Sequence, residues 1–275
     1  MAVFLAGLAA IFSGTGDFLG GVASRRGRVM AVVAGSHLVG VAATFAVAPL
    51  VGGDPQVADL AWGAAAGASG GIGILGLYLG FSRSAVGVVS PIAAVGAAGW
   101  PVLYAVITGE RPGLVVWTGL ALGVIAIWQV SRGDAAGAPV APGVTMGILG
   151  GAGFGGLLIL LSRVSEDAGV WPLAPARVAG FLVVATVALA LRYELVPKRS
   201  SLLPMSGAGA ATIVGNGSFI IATQQGSLAT VSVVAAMFPV ATVVLARFVW
   251  KEEFTRSRLV GLGLALVAVA LVAAG

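Results

Sequence analysis

Ser131-Arg132-Gly133-Asp134-Ala135-Ala136-Gly137-Ala138-Pro139 is a small, polar, Pro-ended stretch in a chain that otherwise consists of apolar runs. It reads as a linker. Counting outward from it gives five runs on each side: 2–22, 29–51, 60–81, 85–108 and 112–130 before it, and 144–162, 171–191, 202–223, 228–249 and 255–274 after it. Each run is near the ~20 residues that a helix rising about 1.5 Å per residue needs to cross about 30 Å of hydrocarbon. Runs this long, without the apolar/polar alternation of a barrel strand, satisfy their backbone groups in lipid only as helices. The expected fold is all-α: a polytopic membrane protein of ten transmembrane helices, with one five-helix repeat over residues 1–131, a linker over 132–140 and a second repeat over 141–275.

Composition supports the bilayer as solvent. Hydrophobic residues are 59% of 275 positions and charged residues 9%, too little polar surface to cover a water-soluble fold. Cysteine is absent, which removes disulfides, thiolate zinc sites and cysteine nucleophiles. The net charge is +5, but the basic residues are scattered over short loops without aromatic interleaving, so no nucleic-acid partner is expected. The first run has no basic segment ahead of it and is expected to be a retained helix.

The two halves match each other. An offset of 142 positions sets Glu110 on Glu252, Gly119 on Gly261, Ser90 on Ser232, Ala93 and Ala94 on Ala235 and Ala236, and Gly73 on Gly215 without a gap. Because five is odd, two such copies enter the membrane in opposite senses. The charges agree. Arg25, Arg26 and Arg28 follow run one, where Glu166 and Asp167 follow run six; Asp54 and Asp59 follow run two, where Arg192, Lys198 and Arg199 follow run seven. Arg83, Arg132, Arg247, Lys251, Arg256 and Arg258 join the basic face of the odd-numbered loops, against Arg111 and Arg163 on the other face. The positive-inside rule then predicts cytoplasmic odd loops and both termini outside, in a cytoplasmic (inner) membrane.

The stretch Ser90-Pro91-Ile92, Gly109-Glu110-Arg111 and Gly119-Leu120, echoed by Ser232-Val233-Val234, Phe238-Pro239, Lys251-Glu252-Glu253 and Gly261-Leu262, resembles the EamA-type repeat of the drug/metabolite transporter superfamily. The resemblance covers nearly the whole chain. It implies a ten-helix basket around a central cavity and export of small metabolites, amino acids (aromatic ones included) or toxic organic cations. The chain departs from that pattern in run one, where Phe12-Ser13-Gly14-Thr15-Gly16-Asp17 stands where the family often carries a Trp before a small residue. The family's second helices often bear an Arg; Arg177 keeps it in the second half and His37 stands in the first. Many members are similar in having cytoplasmic termini, against the charge distribution here.

Ionisable groups inside a bilayer cost about 2.5–3.5 kcal/mol each on insertion scales, so each needs a reason. His37 reads either as a group that takes a proton or hydrogen-bonds a solute carboxylate, or as a neutral imidazole bonded to a neighbouring carbonyl. Arg177 reads as cavity-facing or gating, or as reaching the interface along its stem six residues after Trp171. Asp17, eight residues before Arg25, reads as interfacial rather than as a proton-coupling carboxylate. Asn216 between Gly215 and Gly217 is the leading polar contact, in a helix expected to be loosened or locally broken, as is its counterpart Gly70-Gly71-Ile72-Gly73-Ile74-Leu75-Gly76; close helix packing through small residues is the competing reading. Trp100 and Tyr78 suit an apolar or aromatic solute or serve packing. Glu110 and Glu252 precede helix starts, where the dipole favours a carboxylate. Asn216, Tyr78, Trp100, His37, Arg177 and Ser90 form the expected substrate-binding set, with Asn216, Tyr78 and Trp100 lining one cavity.

These readings describe a secondary transporter that exports a small solute by alternating access. Uptake is the second transport reading, and a membrane enzyme or lipid-handling scaffold the reading from another class. No constellation of carboxylates, His or Cys with catalytic or metal-ligand spacing is visible, so neither enzyme nor cofactor is expected, and no recurring polar ring suggests a channel. The expected partners are the solute and the lipid bilayer, with a monomer sufficient. No acidic residue lies near the centre of a run, so protons would couple through His37; facilitated diffusion needs no titrating group at all.

Overall fold

The computed structural model describes residues 1–83, 86–131, 140–250 and 256–274, and among these residues every regular element is helical. The α-helices are α1 (Ala2–Arg26), α2 (Val29–Val51), α3 (Val57–Arg83), α4 (Val86–Ile107), α5 (Leu114–Ser131), α6 (Val140–Leu161), α7 (Leu173–Ala190), α8 (Leu202–Gln225), α9 (Leu228–Ala235), α10 (Phe238–Trp250) and α11 (Arg256–Ala274). Spans in α1, α2, α3, α6, α7 and α8 are long and apolar enough to cross a membrane, and the other helices contribute shorter apolar stretches among the described residues. The linker expected over 132–140 falls, up to Val140 at the start of α6, outside the described residues, as does Glu252.

The ninth span differs from expectation in being two helices rather than one. Pro239 has no N–H to offer the carbonyl of Ala235, and its ring crowds that turn. The chain tightens around it: Met237 N–H donates to Val234 O at 3.1 Å and Val240 N–H to Met237 O at 2.9 Å, each three residues back. The break expected in the eighth span is absent. α8 runs unbroken through Gly215, and α3 runs unbroken through its glycine cluster. The glycines serve close packing instead: a Cβ on Gly215 would lie 2.6 Å from Ser13 Oγ of α1, and one on Gly73 would lie 3.0 Å from Phe154 N of α6. In lipid, where apolar burial adds little drive between helices, such backbone proximity is a main source of association.

Those contacts are reciprocal between the halves. α1 packs on α8 as α6 packs on α3; α2 crosses α7 and α5 crosses α11. Following neighbours from α6 through α4, α9, α1, α8, α2, α7 and α3 returns to α6, with α5 and α11 packed outside. The two inverted repeats thus close a basket. The loops after α1 and α7 share one face, here the odd face. Loops after α2, α4, α6 and α8 share the even face with the start of α1.

Candidate functional site

The even face holds a cavity of about 210 Å³ lined by Tyr104 and Thr108 of α4 and its following turn, Glu110, Ser162, Arg163 and Thr223 of α8 among others. Both repeats build it. Glu110 spans the repeats: its Oε1 accepts the N–H of Leu228 at 2.7 Å and its Oε2 that of Ala229 at 3.2 Å. It therefore satisfies free amides in the first turn of α9, not of the α5 helix that follows it in sequence, and an anion there also meets the positive end of the helix dipole. Asp59 ties the same face further out. It is 3% exposed and accepts from Gln56 N at 2.9 Å, Ser165 N at 2.8 Å and Ser165 Oγ at 3.0 Å, locking the α2–α3 loop to the α6–α7 loop. On the odd face the equivalent seam is the Arg28–Glu194 ion pair.

Below the cavity, α8 presents an inward arc. Thr212, Asn216 and Thr223 lie within about 40° of one another around the helix, and Val214 lies on the opposite side, where it is exposed. Asn216 is half-buried on this arc, two turns deeper than Thr223. Trp100 lies one turn deeper than Tyr104 on α4; it is 46% exposed, and its Cβ is the nearest atom to the missing Cβ of Gly155. The side chains of Tyr78 and Ser90 lie outside the described residues. Asp17 is exposed about 130° around α1 from the exposed Phe4 and Ile11. It is flanked by Gly16, which abuts Thr212 of α8, and by Gly14, which abuts the Phe238 carbonyl of α10.

His37 and Arg177 come together at the α2–α7 crossing, each seated on a glycine of the other helix. A Cβ on Gly180 would lie 2.5 Å from His37 Cε1, and one on Gly40 would lie 2.8 Å from Arg177 Cδ. The glycine follows the polar residue by three positions in both helices, so the arrangement is two-fold. That shared spacing is a signal the sequence carries and the 142 offset hides, since these pairs align at 140. Depth is decided by α7. Its first turns are recessed: Pro172 lies against Gly63 and the Ala176 backbone against Gly67 of α3. Arg177 consequently sits at the level of Gly40, midway along α2, away from either interface. Its Nη2 donates to Thr212 O at 3.3 Å, while Arg177 Nε and His37 Nδ1 are buried without a partner. Among the described residues no carboxylate pairs with Arg177.

Residues 141–274 match the model of the EamA-like transporter family. This stretch of the chain is an EamA-like transporter domain. This EamA-like protein, part of the drug/metabolite transporter superfamily, is therefore a multi-pass membrane transporter of small solutes. A solved crystal structure superposes with a TM-score of 0.77 over 98% of this chain and 95% of its own, at 16% identity; at that identity the likeness establishes the EamA-like chain's fold alone. No curated protein matches the sequence.

Proposed function

We propose that this transporter exports a small metabolite, amino acids or related organic solutes, across the cytoplasmic (inner) membrane by alternating access. Its repeats, 1–131 and 141–275 joined by 132–140, rock against each other, and both termini lie outside. The observation that supports this is a polar cavity built by both repeats at one face, with the inward arc of α8 leading from its Thr223 down to Asn216 and Thr212 at mid-depth. Midplane sites between inverted repeats are how such carriers present a solute to either side. Protons enter the scheme through His37; a transport rate indifferent to ΔpH selects facilitated diffusion in its place. The test is counterflow in proteoliposomes with labelled neutral and aromatic amino acids. Saturable exchange is expected, and no exchange of any of them overturns the proposal. For orientation, a C-terminal alkaline phosphatase fusion is expected to be active; an inactive fusion with a fluorescent C-terminal protein fusion reverses the topology.

A further inference from the structure

Resting on that carrier reading, we infer that Arg177 and His37 hold the carboxylate of the transported solute at the α2–α7 crossing. A guanidinium keeps its charge and offers five N–H donors. At mid-membrane an unsatisfied one is costly. Here the Nη2 contact to Thr212 O is long, at 3.3 Å, and Nε is buried with nothing to donate to. No protein carboxylate answers the charge among the described residues. The partner is therefore an acceptor that arrives from outside the chain, and a carboxylate matches the planar guanidinium fork best.

His37 adds the second donor. It enters the same crossing from the opposite helix with Nδ1 unpartnered, and Gly40 and Gly180 leave room for the two side chains to meet there. A purely structural Arg would be expected to have its donors bonded to carbonyls of the surrounding helices. The site also faces the solute path. Thr212 lies one turn from Asn216 on the inward arc of α8, so a carboxylate at Arg177 leaves the rest of the solute directed toward Asn216 and the even-face cavity.

The test uses the purified full-length chain, melted with matched pairs of ligands: L-phenylalanine against L-phenylalaninamide, L-leucine against L-leucinamide, and benzoate against benzamide. At least one acid is expected to raise the melting temperature where its amide does not. Arg177→Gln is expected to need about 10- to 100-fold more of that acid for the same shift, the loss of a charge-assisted pair, and His37→Gln about 3- to 10-fold more. Gly40→Ala carries the test should Arg177→Gln fail to fold, because it keeps every polar group while setting a methyl 2.8 Å from Arg177 Cδ; it too is expected to weaken the acid. Amides that stabilise as well as acids, a wild type indifferent to every acid, or variants that bind the acid as tightly as wild type would each overturn the inference. Counterflow separates this from the carrier reading: acid-selective stabilisation without exchange removes the carrier and leaves the anion site, whereas exchange without acid preference does the reverse.

Discussion

The fourth and ninth spans occupy equivalent places in the two repeats, yet α4 is one helix carrying Pro91 and Pro101, and the ninth span is split into α9 and α10 ahead of Pro239. Under the 142 offset Pro239 falls on Ala97, so the repeats put their prolines at different heights. The difference teaches that proline content does not set a break; the surroundings of the freed turn do. α9 is held independently at its start, by Glu110 and by the Ser227 side chain, which accepts from Thr230 N at 3.2 Å. α10 is held at its start by α1, where Gly14 admits the Phe238 carbonyl and the Thr242 hydroxyl lies 3.0 Å from Gly14 O. An eight-residue helix such as α9 is marginal alone and survives through these anchors. The second repeat thus carries a jointed span between the even-face cavity and α1, where the first carries a rod.

The largest effect on this contrast is expected from Gly14→Val. Its Cβ would meet the Phe238 carbonyl and lie 2.7 Å from Ala241 Cβ, and overpacking against a backbone costs about 3 kcal/mol or more. Folded, monodisperse protein after detergent extraction should be lost. Gly7→Val on the same helix, with nothing within 4 Å of the added Cβ, should extract like wild type; equal yields for both variants would mean that the α1–α10 clamp does not hold the joint.

Straightening the joint comes next. Pro239→Ala restores the N–H for the Ala235 carbonyl and relieves a kink worth up to about 3 kcal/mol. The melting temperature should rise by several degrees while counterflow slows about tenfold, the rate equivalent of about 1.4 kcal/mol. Pro101→Ala in the unbroken α4 should leave counterflow within about twofold. Equal slowing by both substitutions would dissolve the distinction between rod and joint. The smallest changes concern the anchors of α9: Glu110→Ala should destabilise by about 1–2 kcal/mol, because it removes the acceptor of two helix-start amides and a charge at the dipole, and Ser227→Ala by about 0.5–1 kcal/mol. Thermal melts that rank Ser227→Ala above Glu110→Ala would assign the cap to Ser227 rather than to the other repeat.

Much of the architecture was legible before any coordinates. Run length and hydropathy are summed along the chain, so the apolar runs and the opposed charge bias of equivalent loops followed from residue order alone, and helix ends fell within a few residues of expectation for most spans. The candidate site was less legible because its residues carry two meanings each. Gly215 and the glycines of α3 read equally as helix breakers or as places of close approach, and only a neighbouring backbone distinguishes the two: Ser13 stands against Gly215 and Phe154 against Gly73. Glu110 read as a carboxylate near the start of its own next helix, whereas it caps α9 across the repeat boundary. Arg177 lies six residues after an interfacial-looking Trp171, a spacing that permits either the interface or mid-membrane; the recess of Pro172 and Ala176 against Gly63 and Gly67 decides for the middle. The sequence by itself determined the solvent, the number of spans and their inverted duplication, since these depend on apolar length and charge counted locally. Only the tertiary structure decided the depth of each polar group and its partner, because depth depends on how far a neighbouring helix is recessed, and a partner comes from a helix distant in the chain.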